Sequence, residues 1–214
     1  DNQNRFVSEL SYFISIPSVS ASDEHFKDVE KAGEWVVARL KQAGLKNARM
    51  MPTETHPVVY ADWLQAGEDK PTILVYGHFD VQPADPLDLW DSPPFEPIVK
   101  DGKIYGRGAS DTKGTVAAMI WALHRLGLQK IKDLDVGVTF VGFMGEETGQ
   151  PGSRHFAKRY YGQYDFALVG EPTGNNIVCR HKGPLWLSIE SIGKAAHGST
   201  PERGENAISK MSEL

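Results

Sequence analysis

Apolar residues recur at helical intervals in two segments near the start of the chain. They do so between residues 6 and 14 and again between residues 29 and 40. Pro17 follows the first segment and Gly44 follows the second, and both residue types are common helix stops. The pattern therefore predicts two amphipathic helices that begin the fold.

Short runs of β-branched and aromatic residues predict strands farther along. Residues 48–52 and 58–64 fit a pleated surface, and residues 73–76 are wholly apolar, which is typical of a strand covered on both faces. Residues 134–143 predict a long strand and residues 166–169 another buried one.

Two further helices, at 116–123 and 152–161, alternate with these strands, and Asp101-Gly102 marks the turn of a hairpin. Strands that alternate with helices predict an α/β fold with a central, largely parallel sheet flanked by helices. The pattern changes near residue 182. Residues 185–191 alternate as a half-exposed strand would, and 201–214 predict one amphipathic helix. We therefore expect an incomplete second module after residue 181.

Composition narrows the classes of function. The 214-residue chain carries a formal charge of −5 and a pI near 5.8, so we expect neither a nucleic acid nor a membrane as partner. Cys179 is the single cysteine; it allows no internal disulfide and is expected to be a packing residue. No segment has the pattern of a signal peptide or a membrane span, and we expect a cytoplasmic protein.

Several apolar runs end in acidic or imidazole side chains. Residues 73–77 precede His78 and Asp80, and 166–170 precede Glu171. The strand that ends near residue 143 precedes Glu146 and Glu147. A further acid, Asp111, lies in a loop that leads into a helix. Because ligands of open α/β sheets gather beyond the carboxyl ends of the strands, we expect these side chains to meet there.

So many carboxylates in one partly buried place would repel one another and lose hydration. Divalent cations relieve that repulsion, and a mixed histidine and carboxylate set suits a dinuclear zinc or zinc-like site. Residues two apart on an extended segment point the same way. Asp80 can therefore accept a hydrogen bond from one ring nitrogen of His78 while the other nitrogen binds metal. Adjacent Glu146 and Glu147 point differently, so Glu147 can bind metal while Glu146 acts as general base.

Six stretches together resemble the metallopeptidase family of glutamate carboxypeptidase, acetylornithine deacetylase, succinyl-diaminopimelate desuccinylase, aminoacylase and carnosinase-like dipeptidases. These stretches, in order, are YGHFDVQP, LWDSPPFEP, DGKIYGRGASDTKG, GEETGQPGS, VGEPTG and GKAAHGSTPERGENAI. The resemblance implies a zinc-exopeptidase-like catalytic domain, here residues 1–181. It also implies that residues 182–214 begin an inserted α+β lid or dimerisation domain.

The resemblance also implies a role for each candidate residue. His78 and Glu171 would hold one metal ion, Asp111 would bridge two ions, and Glu147 would bind the second. Glu146 would be the general base, Asp80 would orient His78, and the bond from Asp111 to Thr112 is often cis in such enzymes. The ions would be two divalent cations, with Zn²⁺ favoured over Co²⁺ or Mn²⁺.

His197 resembles the lid histidine that reaches the site from a partner subunit, and this implies a homodimer built through the lid. The family's second metal takes another histidine from near the C-terminus of the full-length enzyme, so we expect this chain to be an N-terminal fragment. The remaining histidines are expected to be surface or packing residues, with His181 near the hinge: His25, His56, His124, His155 and His181.

Other catalytic motifs fit poorly. In GRGASDTKG, Lys113 precedes Gly114, whereas a P-loop needs Gly-Lys-Ser/Thr, and no G-x-S-x-G motif occurs. The expected function is hydrolysis of an amide bond in a dipeptide or N-acyl amino acid by metal-activated water, with Glu146 as base. The alternative is a catalytically silent binding or assembly module that keeps the fold.

Overall fold

A computed structural model describes residues 2–133, 135–183 and 185–213, without the side chains of 128–132. The chain divides into two compact units, Asp1–Asn175 and Asn176–Leu214. The expected division into catalytic and lid domains after residue 181 stays a prediction, since it assigns functions to the parts. Within the described residues, every helix is too short or too polar to cross a bilayer.

The described residues of the first unit form four α-helices and seven strands. The helices are α1 (Asn2–Ile14), α2 (Phe26–Gln42), α3 (Lys113–Asp133) and α4 (Pro151–Tyr160). The strands are β1 (Lys46–Met51), β2 (Val58–Trp63), β3 (Thr72–His78), β4 (Ile98–Lys100), β5 (Lys103–Tyr105), β6 (Gly137–Phe143) and β7 (Phe166–Val169).

The main sheet has the strand order β1-β2-β6-β3-β7. Strands β6, β3 and β7 are parallel, whereas β1 and β2 are antiparallel to their neighbours. The prediction of an α/β sheet with largely parallel central strands is therefore confirmed. Strands β4 and β5 form the expected hairpin at Asp101-Gly102.

Alternation along β2 shows how the sheet carries two cores. Val59, Ala61 and Trp63 belong to the larger core, which α1, α2 and α3 cover. Val58 and Tyr60 point to the opposite face and join a smaller core with Phe143 of β6 and Phe156 of α4. Because both faces are covered, every residue of β6 is buried, as expected for a central strand of such a sheet.

The prediction that residues 166–169 form a buried strand is correct in its bounds and wrong in its burial. All four residues of β7 are exposed. The strand lies at the edge of the sheet, where β3 is its neighbour. Apolar content alone does not reveal position within a sheet, because it reports only what a strand could bury.

The second unit contains less regular structure than expected. The predicted strand at 185–191 is wrong for the residues described there, which form no strand and are mostly exposed. A strand needs a hydrogen-bonded neighbour, and the described part of this unit pairs only at Lys194 and Glu205. The predicted single helix at 201–214 is also wrong: a 3₁₀ turn at Pro201–Arg203 gives way to extended Gly204 before α5 (Ala207–Met211).

Candidate metal site

The carboxyl ends of three parallel strands meet at one edge of the sheet. His78, the last residue of β3, is in register with Phe143, the last residue of β6. Tyr76 is in register with Val169, the last residue of β7. The acids that follow β6 and β7 are therefore delivered to the place where β3 presents its histidine.

The imidazole of His78 is buried and faces three carboxylates. Its Nε2 lies 3.1 Å from Asp111 Oδ1, 3.7 Å from Glu171 Oε1 and 3.8 Å from Glu146 Oε2. His78 is only 1% exposed, whereas the side chain of Asp111 is 54% exposed. The cluster thus combines a buried imidazole nitrogen with carboxylates that are partly exposed to solvent.

Within the part of the chain that the structure describes, two groups of side chains are close enough to hold a metal ion. In each group the potential ligand atoms all lie within 4.8 Å of one another. One group is His78, Asp111 and Glu171, and the other is His78, Glu146 and Glu147. All five side chains that the sequence indicated as ligands or base are therefore gathered at one place, and His78 belongs to both groups.

Asp80 lies on the other side of the His78 ring. His78 Nδ1 is 3.4 Å from Asp80 Oδ1 and 3.1 Å from the Asp80 backbone oxygen. Asp80 is fully buried, and its carboxylate also accepts hydrogen bonds from the backbone N–H groups of Glu146 and Glu147. One carboxylate therefore joins the end of β3 to the loop that carries the two glutamates.

The loop after β6 turns sharply at Gly145, whose φ is +77°, a value that favours glycine. Beyond this turn the two glutamates have different partners. Gln82 Nε2 donates a hydrogen bond to Glu147 Oε2 over 2.7 Å, and Gln150 Nε2 donates to Glu146 Oε1. The adjacent acids thus point to different neighbours, as their spacing predicted.

The segment that contains Asp111 is joined to β3 by hydrogen bonding and close packing. The hydroxyl of Thr112 donates to the backbone oxygen of His78, and the Asp111–Thr112 peptide bond is cis. A Cβ atom at Gly77 would lie 2.7 Å from a methyl carbon of Val116. Only a residue without a side chain lets α3 approach β3 so closely beside the histidine.

Burial and mutual repulsion raise the pKa values of two acids of the cluster. Burial, together with the negative charge of Asp111, raises the pKa of Glu147, although the hydrogen bond from Gln82 opposes this. Burial and the charges of Asp111, Glu146 and Glu147 likewise raise the pKa of Glu171 against the opposing effect of His78. Glu147 and Glu171 thus lie where their charged forms are disfavoured.

The pKa values of His78 and Asp80 are shifted so that the charged form of each is favoured. Burial lowers the pKa of His78, but the hydrogen bond and charge of Asp80, with the charges of Glu146 and Glu171, outweigh it and raise this pKa to about 9. Burial raises the pKa of Asp80, yet hydrogen bonds from His78 and Ser20 outweigh that effect and lower it. The cluster therefore attracts positive charge.

This donor set fits divalent cations. One imidazole nitrogen and several carboxylate oxygens converge within a few ångströms, and zinc and similar ions bind such mixed sets. Cations would also relieve the repulsion that raises the pKa values of Glu147 and Glu171. The chemistry of the residues thus agrees with the metal ions that the sequence predicted.

The remaining histidines and the cysteine lie outside these groups. His197, in the second unit, is exposed, and its Nδ1 lies 2.8 Å from Ser199 Oγ. Cys179 is exposed, so its interpretation as a packing residue is wrong; it lies in an irregular, exposed stretch of the second unit. Neither group found among the described residues contains another histidine from the following set: His25, His56, His124, His155 and His181.

Sequence reasoning missed the polar residues that support the cluster. Ser20 Oγ donates to Asp80 Oδ2, Gln82 donates to Glu147, and Gln150 donates to Glu146. Gln82 and Gln150 lie within stretches that carry the family resemblance, which was a usable signal. Ser20 is 60 residues from its partner, so local spacing could not have connected the two.

The fold and the cluster together define a metallopeptidase-type α/β protein. Residues 74–205 match the model of peptidase family M20/M25/M40. The chain belongs to this family.

Individual relatives agree with this assignment. The chain is 33% identical over 213 residues to acetylornithine deacetylase of Photorhabdus laumondii subsp. laumondii. The matched region covers 97% of this chain and 53% of that protein. The chain thus spans about half the length of this curated relative.

Two solved structures share the fold. One is an M20 family metallo-carboxypeptidase, Sso-CP2, from Sulfolobus solfataricus: the TM-score is 0.67 at 30% identity, over 77% of this chain and 37% of the other. The second is human carnosine dipeptidase 1, with a TM-score of 0.66 at 27% identity, over 90% of this chain and 41% of the other.

Proposed function

We propose that the protein is a two-metal hydrolase that cleaves an amide bond in a dipeptide or an N-acyl amino acid. The observation that carries the proposal is the position of His78 Nε2, within 3.1 to 3.8 Å of carboxylates from three separate segments. Several acids around one buried imidazole suit a two-metal site, because divalent cations compensate their negative charge.

In this proposal the cluster would hold two ions that share one carboxylate. His78 and Glu171 would hold the first ion, Glu147 would hold the second, and Asp111 would be the ligand shared by both. The exposed carboxylate of Asp111 faces His78 from the solvent side, which suits a shared ligand. Zn²⁺ is the favoured ion because it accepts both imidazole and carboxylate donors, and Co²⁺ and Mn²⁺ are the alternatives.

The ions, when bound, would lower the pKa of a water molecule and stabilise negative charge on the carbonyl oxygen of the substrate. Glu146 takes the proton from the attacking water and passes it to the leaving amine. Its side chain is 21% exposed, so it can reach both water and substrate. Asp80 holds His78 in the orientation that presents Nε2 to the cluster.

The substrate class follows from what the named relatives share. A deacetylase of an N-acyl amino acid, a carboxypeptidase and a dipeptidase all split an amide bond. Each such reaction gives an amine and a carboxylate. We therefore propose this reaction, on a small peptide or N-acyl amino acid, rather than one particular substrate.

The remaining part of the proposal concerns the lid. Residues 1–181 would form the metal-binding part of the catalytic domain, and residues 182–214 would begin a lid through which two copies associate. His197 of one copy would reach the site of the other and stabilise the developing oxyanion. Its imidazole is exposed, which such a role requires.

The test uses the full-length gene product. Metal content is measured after loading with Zn²⁺, Co²⁺ or Mn²⁺, and hydrolysis is followed on N-acetylornithine, N-succinyl-diaminopimelate, carnosine and other dipeptides. Two equivalents of metal together with cleavage of an amide bond support the proposal. Metal binding or folding without cleavage of any of these supports the silent binding module instead.

A further inference from the structure

We propose that Ser20 is a positioning residue for the metal cluster, acting through Asp80. Its hydroxyl donates a hydrogen bond to Asp80 Oδ2 over 2.5 Å, while Asp80 Oδ1 faces Nδ1 of His78 at 3.4 Å. The inference rests on the proposed function, because it assigns Ser20 a part in holding the metal-binding histidine.

The two carboxylate oxygens of Asp80 contact different partners. Oδ1 faces the imidazole of His78 and accepts the backbone N–H of Glu146 at 3.3 Å. Oδ2 accepts the backbone N–H of Glu147 at 3.2 Å and the hydroxyl of Ser20. Ser20 therefore holds the oxygen that the histidine does not use.

This division matters because the terminal torsion of an aspartate is soft. Rotation about the Cβ–Cγ bond has broad minima, so a carboxylate held through one oxygen can tilt away from its partner. The bond from Ser20 is the shortest of the contacts to the carboxylate of Asp80 described above. It fixes the carboxylate plane and, through it, the ring of His78.

The backbone around Ser20 is itself well anchored. Val19 forms a parallel bridge with Val81, and the N–H of Val81 donates to the backbone oxygen of Ser18 over 2.9 Å. Both valines are buried. The segment before α2 thus lies alongside the residues that follow β3, and the hydroxyl of Ser20 is held at a defined distance from Asp80.

Loss of the hydroxyl should weaken metal binding more than it weakens the fold. Asp80 is fully buried, so without Ser20 its Oδ2 keeps only the long bond from the Glu147 N–H among these contacts. The carboxylate is then held only by the longer contacts to His78 and to the backbone N–H groups of Glu146 and Glu147, and the orientation of His78 becomes less defined. Groups that orient a metal ligand typically change metal affinity by about 10-fold to 100-fold.

The experiment measures the affinity of the full-length gene product for Zn²⁺ alone, by competition with a chromogenic chelator, for Ser20→Ala, Ser20→Cys and Ser20→Thr. Threonine keeps the hydroxyl, cysteine offers a weak donor and alanine offers none. We expect Zn²⁺ affinity close to wild type for Ser20→Thr, an intermediate value for Ser20→Cys, and a loss of about 10-fold or more for Ser20→Ala. The Thr and Cys variants keep the test valid if the Ala variant does not fold.

Ser18→Ala is the matched control. The buried hydroxyl of Ser18 donates to the backbone oxygen of Phe79 over 2.6 Å, so its partner is the neighbouring backbone and not the carboxylate of Asp80. Ser18→Ala should lower the free energy of unfolding. It should weaken Zn²⁺ binding by no more than about threefold, which is well below the effect of losing a group that orients a metal ligand.

Three outcomes separate the inferences. Wild-type affinity in Ser20→Ala, or an equal loss in Ser18→Ala, overturns the role of Ser20 and leaves the proposed function intact. Wild-type protein that neither binds Zn²⁺ nor cleaves amides overturns the proposed function and the role of Ser20 together. A graded loss of affinity along the Ser20 series, with Ser18→Ala unaffected, supports the role of Ser20 and the metal site on which the proposed function depends.

Discussion

Lys113 Nζ donates a hydrogen bond to the backbone oxygen of Phe13 over 3.0 Å in the interior of the first unit. The same amine also donates to the backbone oxygen of Ile16 and lies 5.3 Å from the ring centroid of Phe13. Burial lowers the pKa of Lys113 to about 7, against the charges of Asp80 and Asp28. One buried side chain thus joins the end of α1 to the start of α3, two residues after Asp111.

Lys113→Met should therefore lower the free energy of unfolding by about 3 kcal/mol, because two buried carbonyl groups lose their donor. Chemical denaturation of the metal-free protein measures the change. Lys158→Met serves as the control, since Lys158 is exposed on α4 and should change stability by less than about 0.5 kcal/mol. A loss below about 1 kcal/mol for Lys113→Met would show that the two bonds contribute little.

The raised pKa of Tyr60 predicts that the free energy of unfolding falls at alkaline pH. Its hydroxyl donates to Asp62 Oδ2 over 2.9 Å, and burial, reinforced by Asp62, raises the pKa of the phenol. Because the folded-state pKa lies above the unfolded value of about 10, the folded protein binds more protons above that pH. The contribution of Tyr60 is therefore complete below about pH 10 and is lost as the pH rises toward the folded-state pKa.

Tyr60→Phe isolates this effect. At neutral pH the variant should lose about 1 kcal/mol with the hydrogen bond, while Asn47 still donates to Asp62. Above pH 10 the free energy of unfolding of the wild type should fall more steeply with pH than that of the variant, by up to about 1.4 kcal/mol per pH unit. Parallel curves above pH 10 would contradict the assignment.

Glu146 and Glu147 offer a matched pair of substitutions in adjacent positions. Glu146→Gln should keep its metal ions and lose about 10²-fold to 10⁴-fold in kcat, because only the proton carrier is removed. Glu147→Gln should instead weaken metal binding by about 10-fold or more, since a charged ligand becomes a neutral one. Metal analysis together with kcat distinguishes the two, and a near-normal rate for Glu146→Gln would exclude it as the base.

Asp111→Asn tests the bridge. If Asp111 binds both ions, Asp111→Asn should lose affinity for both. Loss of a residue that binds only one ion would leave the other ion bound. Titration with Zn²⁺ and elemental analysis of the loaded protein count the ions that remain. Retention of two equivalents would place the bridging ligand elsewhere.

His197→Ala tests the contribution of the second unit. The proposed role predicts a fall in kcat of about 10²-fold, the typical cost of one oxyanion donor, with metal content unchanged. Mixing this variant with Glu146→Gln should restore part of the activity if each site takes His197 from a partner copy. An unchanged kcat in His197→Ala would remove the residue from the reaction.

The sequence was most informative where chemistry follows a local pattern. An apolar run that ends at His78, with Asp80 two residues later, predicted both the strand and the two sides of the imidazole. Convergence of Glu171 and Glu146 with His78 followed from a general property of parallel strands. The roles of these residues remain predictions, because geometry alone does not report which of them binds a metal ion.

The pattern of apolar runs and helical spacings by itself determined the α/β sheet and the strand ends that carry the acids, since each depends on neighbours in the chain. Only the tertiary structure decided that β7 lies exposed at the sheet edge, that the described residues of 185–191 form no strand, that Ser20 contacts Asp80 and that Lys113 joins α1 to α3. Those features depend on partners from distant segments of the chain. Hydrogen bonds and burial between such segments produce no periodic pattern in the sequence.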